Sequence, residues 1–169
     1  MFKQIIWATD GSEIADGALE VAEEIARTHR AKIIAFHATL LFEGGRYNGG
    51  SLAAGDDELQ LKIRSQVEGM RAQGYESELI LVTSGFEDVP HLIANAAEEH
   101  QADLIVLGTH GMGVLPGLLF GGVAKRLLRL ASCPVLVVPP RTRVRAGASG
   151  AWSRPRSAVH AGSQDVSSL

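Results

Sequence analysis

Short apolar runs alternate along the chain with longer stretches in which apolar residues recur at helical spacing. The apolar runs predict five strands, at residues 2–8, 31–40, 75–82, 102–108 and 133–140. The periodic stretches between them predict four helices, over residues 14–26, 56–74, 89–101 and 123–128, and a polar, glycine-rich loop is expected at 42–55. Strands that alternate with helices indicate an α/β fold, with a doubly wound parallel sheet of Rossmann-like type and helices on both faces.

Two segments are expected to meet at one edge of this sheet. In doubly wound sheets, ligands bind beyond the carboxyl ends of the strands, where the winding direction reverses. The segment TDGS follows the first strand, and the segment GTHGMG follows the fourth. Asp10 and Ser12 are both candidate N-caps of the first helix.

The stretch from Gly108 to Leu128 holds six glycines between a strand and a helix. Glycines before a helix N-terminus allow the backbone to approach a phosphate closely, and the free N–H groups of the helix can bind it. The spacing fits neither the Walker pattern nor the dinucleotide fingerprint. The same glycines are also explained by a flexible loop and tight packing of a helix on the sheet, and both interpretations stay open.

The motif resembles the nucleotide-binding signature of the universal stress protein family. The resemblance rests on the spacing Gly108-x2-Gly111-x9-Gly121, on the flanking segments ADLIVLGTHG and VAKRLLRLASCPVLVV, and on the N-terminal ATDGSE. It covers about residues 2–140. It implies a five-stranded sheet in the order 3-2-1-4-5, ATP at its carboxyl edge, with or without Mg²⁺, and a homodimer.

The resemblance also implies a set of nucleotide-binding residues. Asp10 would face the adenine or ribose, and the Ala38 backbone would contact the adenine edge. The full set is Ala8, Thr9, Asp10, Ala38, Gly108, Thr109, His110, Gly111, Gly113, Gly121, Gly122 and Val123. The sequence departs from the family pattern at Gly122, where members of the ATP-binding type usually carry a Ser or Thr whose hydroxyl contacts phosphate.

Composition and charge divide the chain into a domain and a tail. Residues 1–140 carry 11 Lys and Arg against 18 Asp and Glu, which argues against nucleic acid as the main partner. Residues 141–169 are rich in Gly, Ser, Ala and Arg without periodicity, and are expected to form a disordered basic tail. The single cysteine excludes a disulfide framework within one chain. No signal peptide or membrane span is visible, so a cytoplasmic location is expected.

Three functions remain open at this stage. The leading one is a stress-response regulator that binds ATP, or cyclic AMP in its place, and hydrolyses ATP slowly at most. The second is an interaction protein of the same fold that has lost nucleotide binding, which Gly122 favours. The third is a phosphotransfer enzyme, for which Asp10 is the only candidate carboxylate. His37 is expected to be packed rather than catalytic and Cys133 to be a structural thiol, and the apolar strand Pro134–Val138 is expected to form the homodimer.

Overall fold

The computed structural model describes residues 1–40, 52–84, 88–109 and 121–140. For residues 40 and 52–56 it describes the backbone alone. Strands and helices alternate throughout these residues. In chain order they are β1 Gln4–Ala8, α1 Glu13–His29, β2 Lys32–Leu40, α2 Leu52–Ala72, β3 Ser77–Ser84, α3 Val89–Glu99, β4 Leu104–Gly108, α4 Gly122–Leu130 and β5 Val135–Val138.

The five strands form one parallel sheet in the order β3-β2-β1-β4-β5. The fold class and the strand order expected from the sequence are therefore confirmed. β1 lies at the centre, where Ala8 pairs with Phe36 of β2 on one side and with Leu107 of β4 on the other. β5 lies at an edge of the sheet, and its Leu136 side chain is 36% exposed.

Helices cover both faces of the sheet, and the strands direct alternate side chains to each face. On one face, α1 and α2 pack against a cluster that includes Ile5, Trp7, Ile33 and Val106. On the other face, α3 and α4 pack against a cluster that includes Ile6, Ile34, Phe36 and Ile105. Both core layers are apolar, as the continuous hydrophobic runs of the strands indicate.

Trp7 is fully buried in the first of these layers. Its indole Nε1–H donates a hydrogen bond of 2.9 Å to the backbone oxygen of Ala15, near the start of α1. A buried indole that finds an acceptor adds both apolar area and a fixed contact. Trp7 thus ties the centre of the sheet to the first helix.

The start of α2 differs from the sequence-based expectation. The loop was expected to continue to residue 55, whereas α2 begins at Leu52. Leu52, Ala53 and Ala54 are strong helix formers, so one Gly55 within the first turns does not stop the helix. The rest of the predicted loop, residues 42–51, lies outside the described residues.

The expected tail, residues 141–169, also lies outside the described residues. Within the part of the chain that is described, no helix is both long enough and apolar enough to cross a membrane.

Candidate functional site

The carboxyl ends of β1 and β4 lie side by side at the centre of one edge of the sheet. From β1 the chain passes into α1 on one face, and after β4 it continues to α4 on the other face. The winding direction reverses between these two strands, and such a position leaves a crevice between the connections. The ends of β1 and β4 therefore meet at this reversal, as expected from the sequence, whereas residues 110–113 of the second segment lie outside the described residues.

The turn after β1 is held by hydrogen bonds within itself. The Gly11 N–H donates to the Thr9 hydroxyl at 3.0 Å, and the Ser12 N–H donates to Asp10 Oδ1 at 3.1 Å. Ser12 is the N-cap of α1, and its hydroxyl accepts from the Ala15 N–H at 3.2 Å. Of the two candidate caps, Ser12 has that role, and the Asp10 carboxylate shapes the turn just before the helix.

Gly11 is required by the fold, a role that the sequence analysis did not assign. Its φ is +77°, in the left-handed region that favours glycine, and a Cβ built on it would lie 1.8 Å from Cδ1 of Leu59. The signal available in the sequence was the Asp-Gly pair directly after a strand, which is typical of a tight turn.

Helix α2 is fastened to the same turn by Lys62. Its Nζ donates to the backbone oxygen of Gly11 and to Asp16 Oδ2, both at 2.7 Å. Gln66, one turn further along α2, donates to the other oxygen of Asp16 at 2.8 Å. No sequence pattern indicated this contact, because it joins residues about fifty positions apart.

Near its carboxyl end, β2 carries a buried imidazole, that of His37. His37 is 5% exposed, and its Nδ1 lies 2.9 Å from the backbone oxygen of Thr9. Because a carbonyl oxygen only accepts, Nδ1 carries the hydrogen. His37 is packed, as expected, and the next residue, Ala38, is half-buried and pairs with Val82 of β3.

At the end of β4, the backbone of Thr109 joins three elements. Its N–H donates to Val138 of β5 at 2.9 Å, and its oxygen accepts from the Gly121 N–H at 2.7 Å. The second bond brings the start of α4 directly to the end of β4. Thr109 itself is buried.

Gly108 has a packing role. A Cβ on Gly108 would lie 2.8 Å from Ile14 Cγ2 and 3.3 Å from the Ile14 backbone carbon. The missing side chain therefore lets α1 cross close over β4. At this position the packing interpretation of the glycine motif accounts for the residue without a ligand.

Among the described residues, no side chain caps the start of α4. Gly121 is the N-cap and makes no side-chain capping bond, and the first turn contains no acidic residue. The first N–H groups of an α-helix have no acceptor within the helix and carry partial positive charge. A Cβ on Gly122 would meet nothing within 4 Å, and Val123 is 36% exposed. The remaining predicted site residues, His110, Gly111 and Gly113, lie outside the described residues.

An ion-pair cluster links α4 to the start of α3. Asp88, the N-cap of α3, contacts the Arg126 guanidinium and lies 2.5 Å from Nδ1 of His91. The hydrogen bond from His91, assisted by the charge of Arg126, holds the pKa of Asp88 below its usual value. Arg126 is more than half exposed, and its ion pair with Asp88 links α4 to the start of α3.

Within the described part of the chain, the Cys133 thiol and the metal-ligating side chains do not add to this site. Burial, with a contribution from the charge of Asp103, raises the pKa of the Cys133 thiol, so it stays protonated at neutral pH and suits a structural role. Among the described residues, no group of three or more His, Cys, Asp or Glu side chains is placed to hold a metal ion.

A doubly wound parallel sheet whose winding reverses between β1 and β4 defines a Rossmann-like α/β protein. The sequence model of the universal stress protein family matches residues 1–139. The chain belongs to the universal stress protein family.

Individual relatives agree with this assignment. The chain is 33% identical over 141 residues to a universal stress protein of Thermus aquaticus, covering 82% of this chain and 99% of that one. It is 32% identical over 140 residues to a universal stress protein of Methanocaldococcus jannaschii, covering 82% of each. A solved universal stress protein of Archaeoglobus fulgidus, in complex with dAMP, superposes with a TM-score of 0.58 at 25% identity, over 82% of this chain and 98% of that one.

Proposed function

We propose that this chain is a cytoplasmic stress-response regulator that binds ATP, with Mg²⁺ as its counterion, at the carboxyl edge of β1 and β4. The observation that carries the proposal is the uncapped N-terminus of α4. The hydrogen bond from Gly121 to Thr109 holds that N-terminus at the end of β4, next to the turn after β1. A polyphosphate is the ligand chemistry that suits unpaired helix N–H groups. The dAMP complex of the Archaeoglobus relative supports an adenine nucleotide as the class of ligand.

Six of the described site residues then have a definite part. The N–H groups of Gly122 and Val123 donate to phosphate oxygens. Asp10, at the tip of the turn after β1, accepts from the ribose hydroxyls, and the backbone of Ala38 contacts the adenine. Gly108 and Thr109 shape the floor of the crevice. The glycines Gly111 and Gly113 and the neighbouring His110 complete the proposed cradle.

The first experiment identifies the ligand. Mass spectrometry of small molecules released from the purified, denatured protein is expected to find an adenine nucleotide. Calorimetry with ATP and with cyclic AMP, each with and without magnesium, then ranks the ligands. If neither nucleotide binds and none is released, the proposal of a nucleotide-binding regulator is wrong.

The second experiment uses the glycines. Gly111→Val is expected to block close approach of a phosphate and abolish binding. Gly122→Ser restores the hydroxyl that the family pattern has at this position. One hydrogen bond has a net value of about 0.5–1.5 kcal/mol, so ATP is expected to bind roughly three- to tenfold more tightly.

Gly122→Ala is the matched control for the serine variant. Both side chains enter the open space beside Gly122, and both favour helix more than glycine does. If only Gly122→Ser binds ATP more tightly, the gain in affinity comes from the hydroxyl. If both variants bind ATP more tightly to the same extent, the gain comes from a more stable helix.

The alternative function is a non-nucleotide-binding interaction protein of the same fold. Gly122 favours it, because the first turn of α4 offers no side-chain hydroxyl to a phosphate. This function becomes the leading one if the parent protein neither releases nor binds an adenine nucleotide. If the parent binds ATP but Gly122→Ser binds it no more tightly, or Gly111→Val binds it equally well, the proposed cradle is misplaced.

We further propose a homodimer formed through the edge strand β5. Leu136 is 36% exposed there, whereas Val137 packs against the core on the face of α3 and α4. Leu136→Lys is therefore the sharper test, because it adds charge at the edge without entering the core. Light scattering is expected to find monomers. Dimers that persist in a folded Leu136→Lys variant would contradict the proposed interface.

A further inference from the structure

The imidazole of His37 is a buried polar group on the face of the sheet that α1 and α2 cover. Along β2, Ile33 and Ala35 face α1 and α2, so the alternation of side chains places His37 on the same face. The residue is 5% exposed, and its Nδ1–H donates to the backbone oxygen of Thr9 at 2.9 Å. A buried polar side chain among apolar neighbours costs stability unless it is hydrogen-bonded, and here the bond goes to the first residue beyond β1.

Thr9 is held at three of its polar atoms. Its N–H donates to Phe36 O at 2.9 Å and so continues the ladder between β1 and β2. Its hydroxyl accepts from the Gly11 N–H at 3.0 Å. Its backbone oxygen lies beyond the end of β1 and accepts from His37.

The bond from His37 fixes more than one oxygen atom. The Thr9 carbonyl and the Asp10 N–H belong to one planar peptide unit, so the direction of the carbonyl sets the direction of the amide and of the Asp10 Cα. The Lys62 Nζ holds the next part of the turn from the other side, at Gly11 O. The turn is thereby clamped between β2 and α2, with Asp10 between the two clamps.

We propose that His37 is a positioning residue of the nucleotide site: its Nδ1–H orients the Thr9–Asp10 peptide so that Asp10 meets the ribose. This role rests on the proposed function, because Asp10 needs a fixed orientation only if it contacts a ligand. His37 itself acts through Thr9.

The test compares His37→Asn with His37→Leu. The Asn amide nitrogen occupies nearly the position of the His Nδ1 and can donate to Thr9 O, whereas Leu fills a similar space without a donor. Calorimetry with ATP and magnesium is expected to find affinity about tenfold weaker in His37→Leu and within about threefold of the parent in His37→Asn.

A distant core variant separates positioning from loss of stability. Met70→Ala removes a buried side chain near the end of α2 without touching the turn. It is expected to lower the melting temperature and leave the ATP affinity of the folded protein unchanged. The proposal is wrong if His37→Asn weakens binding as much as His37→Leu does, or if Met70→Ala weakens it equally.

A measurement on the nucleotide-free protein separates the positioning role of His37 from the proposed nucleotide binding. Hydrogen exchange of the Gly11 amide, which donates to Thr9, is expected to be at least tenfold faster in His37→Leu than in His37→Asn or the parent. If the parent binds no ATP, the proposed function fails, and this exchange rate alone decides whether His37 orients the turn. Equal exchange in all three proteins would overturn the positioning role.

Discussion

Replacing Gly108 by alanine tests whether the first glycine of the motif serves packing. The new Cβ would lie 2.8 Å from Ile14 Cγ2, 3.3 Å from the Ile14 backbone carbon and 3.4 Å from the Ala15 nitrogen. The Ile14 side chain is β-branched and has few rotamers, and its backbone carbon leaves a few tenths of an ångström too little room, so Ile14 and the start of α1 have to shift. Overpacking of this kind costs about 1–3 kcal/mol, which corresponds to a fall in melting temperature of roughly 2–12 °C for a chain of this length.

Urea denaturation and calorimetry measure this cost, and two companion variants identify its origin. Gly122→Ala has no neighbour within 4 Å, so it is expected to be neutral or to stabilise by up to about 1 kcal/mol. Ile14→Ala removes the nearest contact, so the double variant with Gly108→Ala is expected to be more stable than the sum of the single changes. A Gly108→Ala protein as stable as the parent would refute the packing argument.

Three further predictions concern the domain around the site. Ser12→Ala removes the N-cap of α1 and is expected to cost about 1 kcal/mol of unfolding free energy, measured in urea; an unchanged midpoint would show that water replaces the cap. Hydrogen bonds from the N–H groups of Gln4 and Lys3 hold the pKa of Asp103 below its usual value. The stabilisation from these hydrogen bonds is present above the pKa that Asp103 has in the unfolded chain, about 3.9. It is lost as the pH falls through the lower pKa that Asp103 has in the folded protein. The stability advantage of the parent over Asp103→Asn should therefore disappear in acid, and a pH-independent difference would contradict this. Truncation after Arg141 is expected to leave the melting temperature and ATP affinity nearly unchanged, because the family match ends at residue 139; a loss of several degrees would mean that the tail packs on the domain.

The strands and most helices could be predicted from the sequence because their signals are local. Runs such as LIVLG are apolar at every position, which suits a strand covered on both faces. In α2, Leu59, Ile63, Val67 and Met70 recur at helical spacing, and all four contribute to the core on the face of α1 and α2. The start of α2 was the main error, because small residues around a glycine provide no capping signal.

The candidate site could be predicted only in part, because the contacts that hold it are long-range in the sequence. That the ends of β1 and β4 lie side by side at the reversal of winding follows from topology. The contacts that hold the turn were missed, since His37 to Thr9 and Lys62 to Gly11 depend on how β2 and α2 pack. Long-range hydrogen bonds of this kind leave no spacing pattern in a single sequence.

The glycines around the crevice do not share one cause, and the difference bears on function. Gly11 has a φ of +77°, and Gly108 lies against Ile14 of α1, so the fold alone requires both glycines. Gly122 faces open space in a helix, where nearly every other residue would be more stable. The fold therefore does not account for Gly122. A glycine whose N–H lies in the first turn of an uncapped helix either donates that N–H to a ligand or is tolerated because no ligand binds. Two β-branched side chains of the same shape separate these alternatives: in the first case Gly122→Thr, whose hydroxyl can contact a phosphate, should bind ATP more tightly than Gly122→Val, and in the second case neither variant should bind ATP.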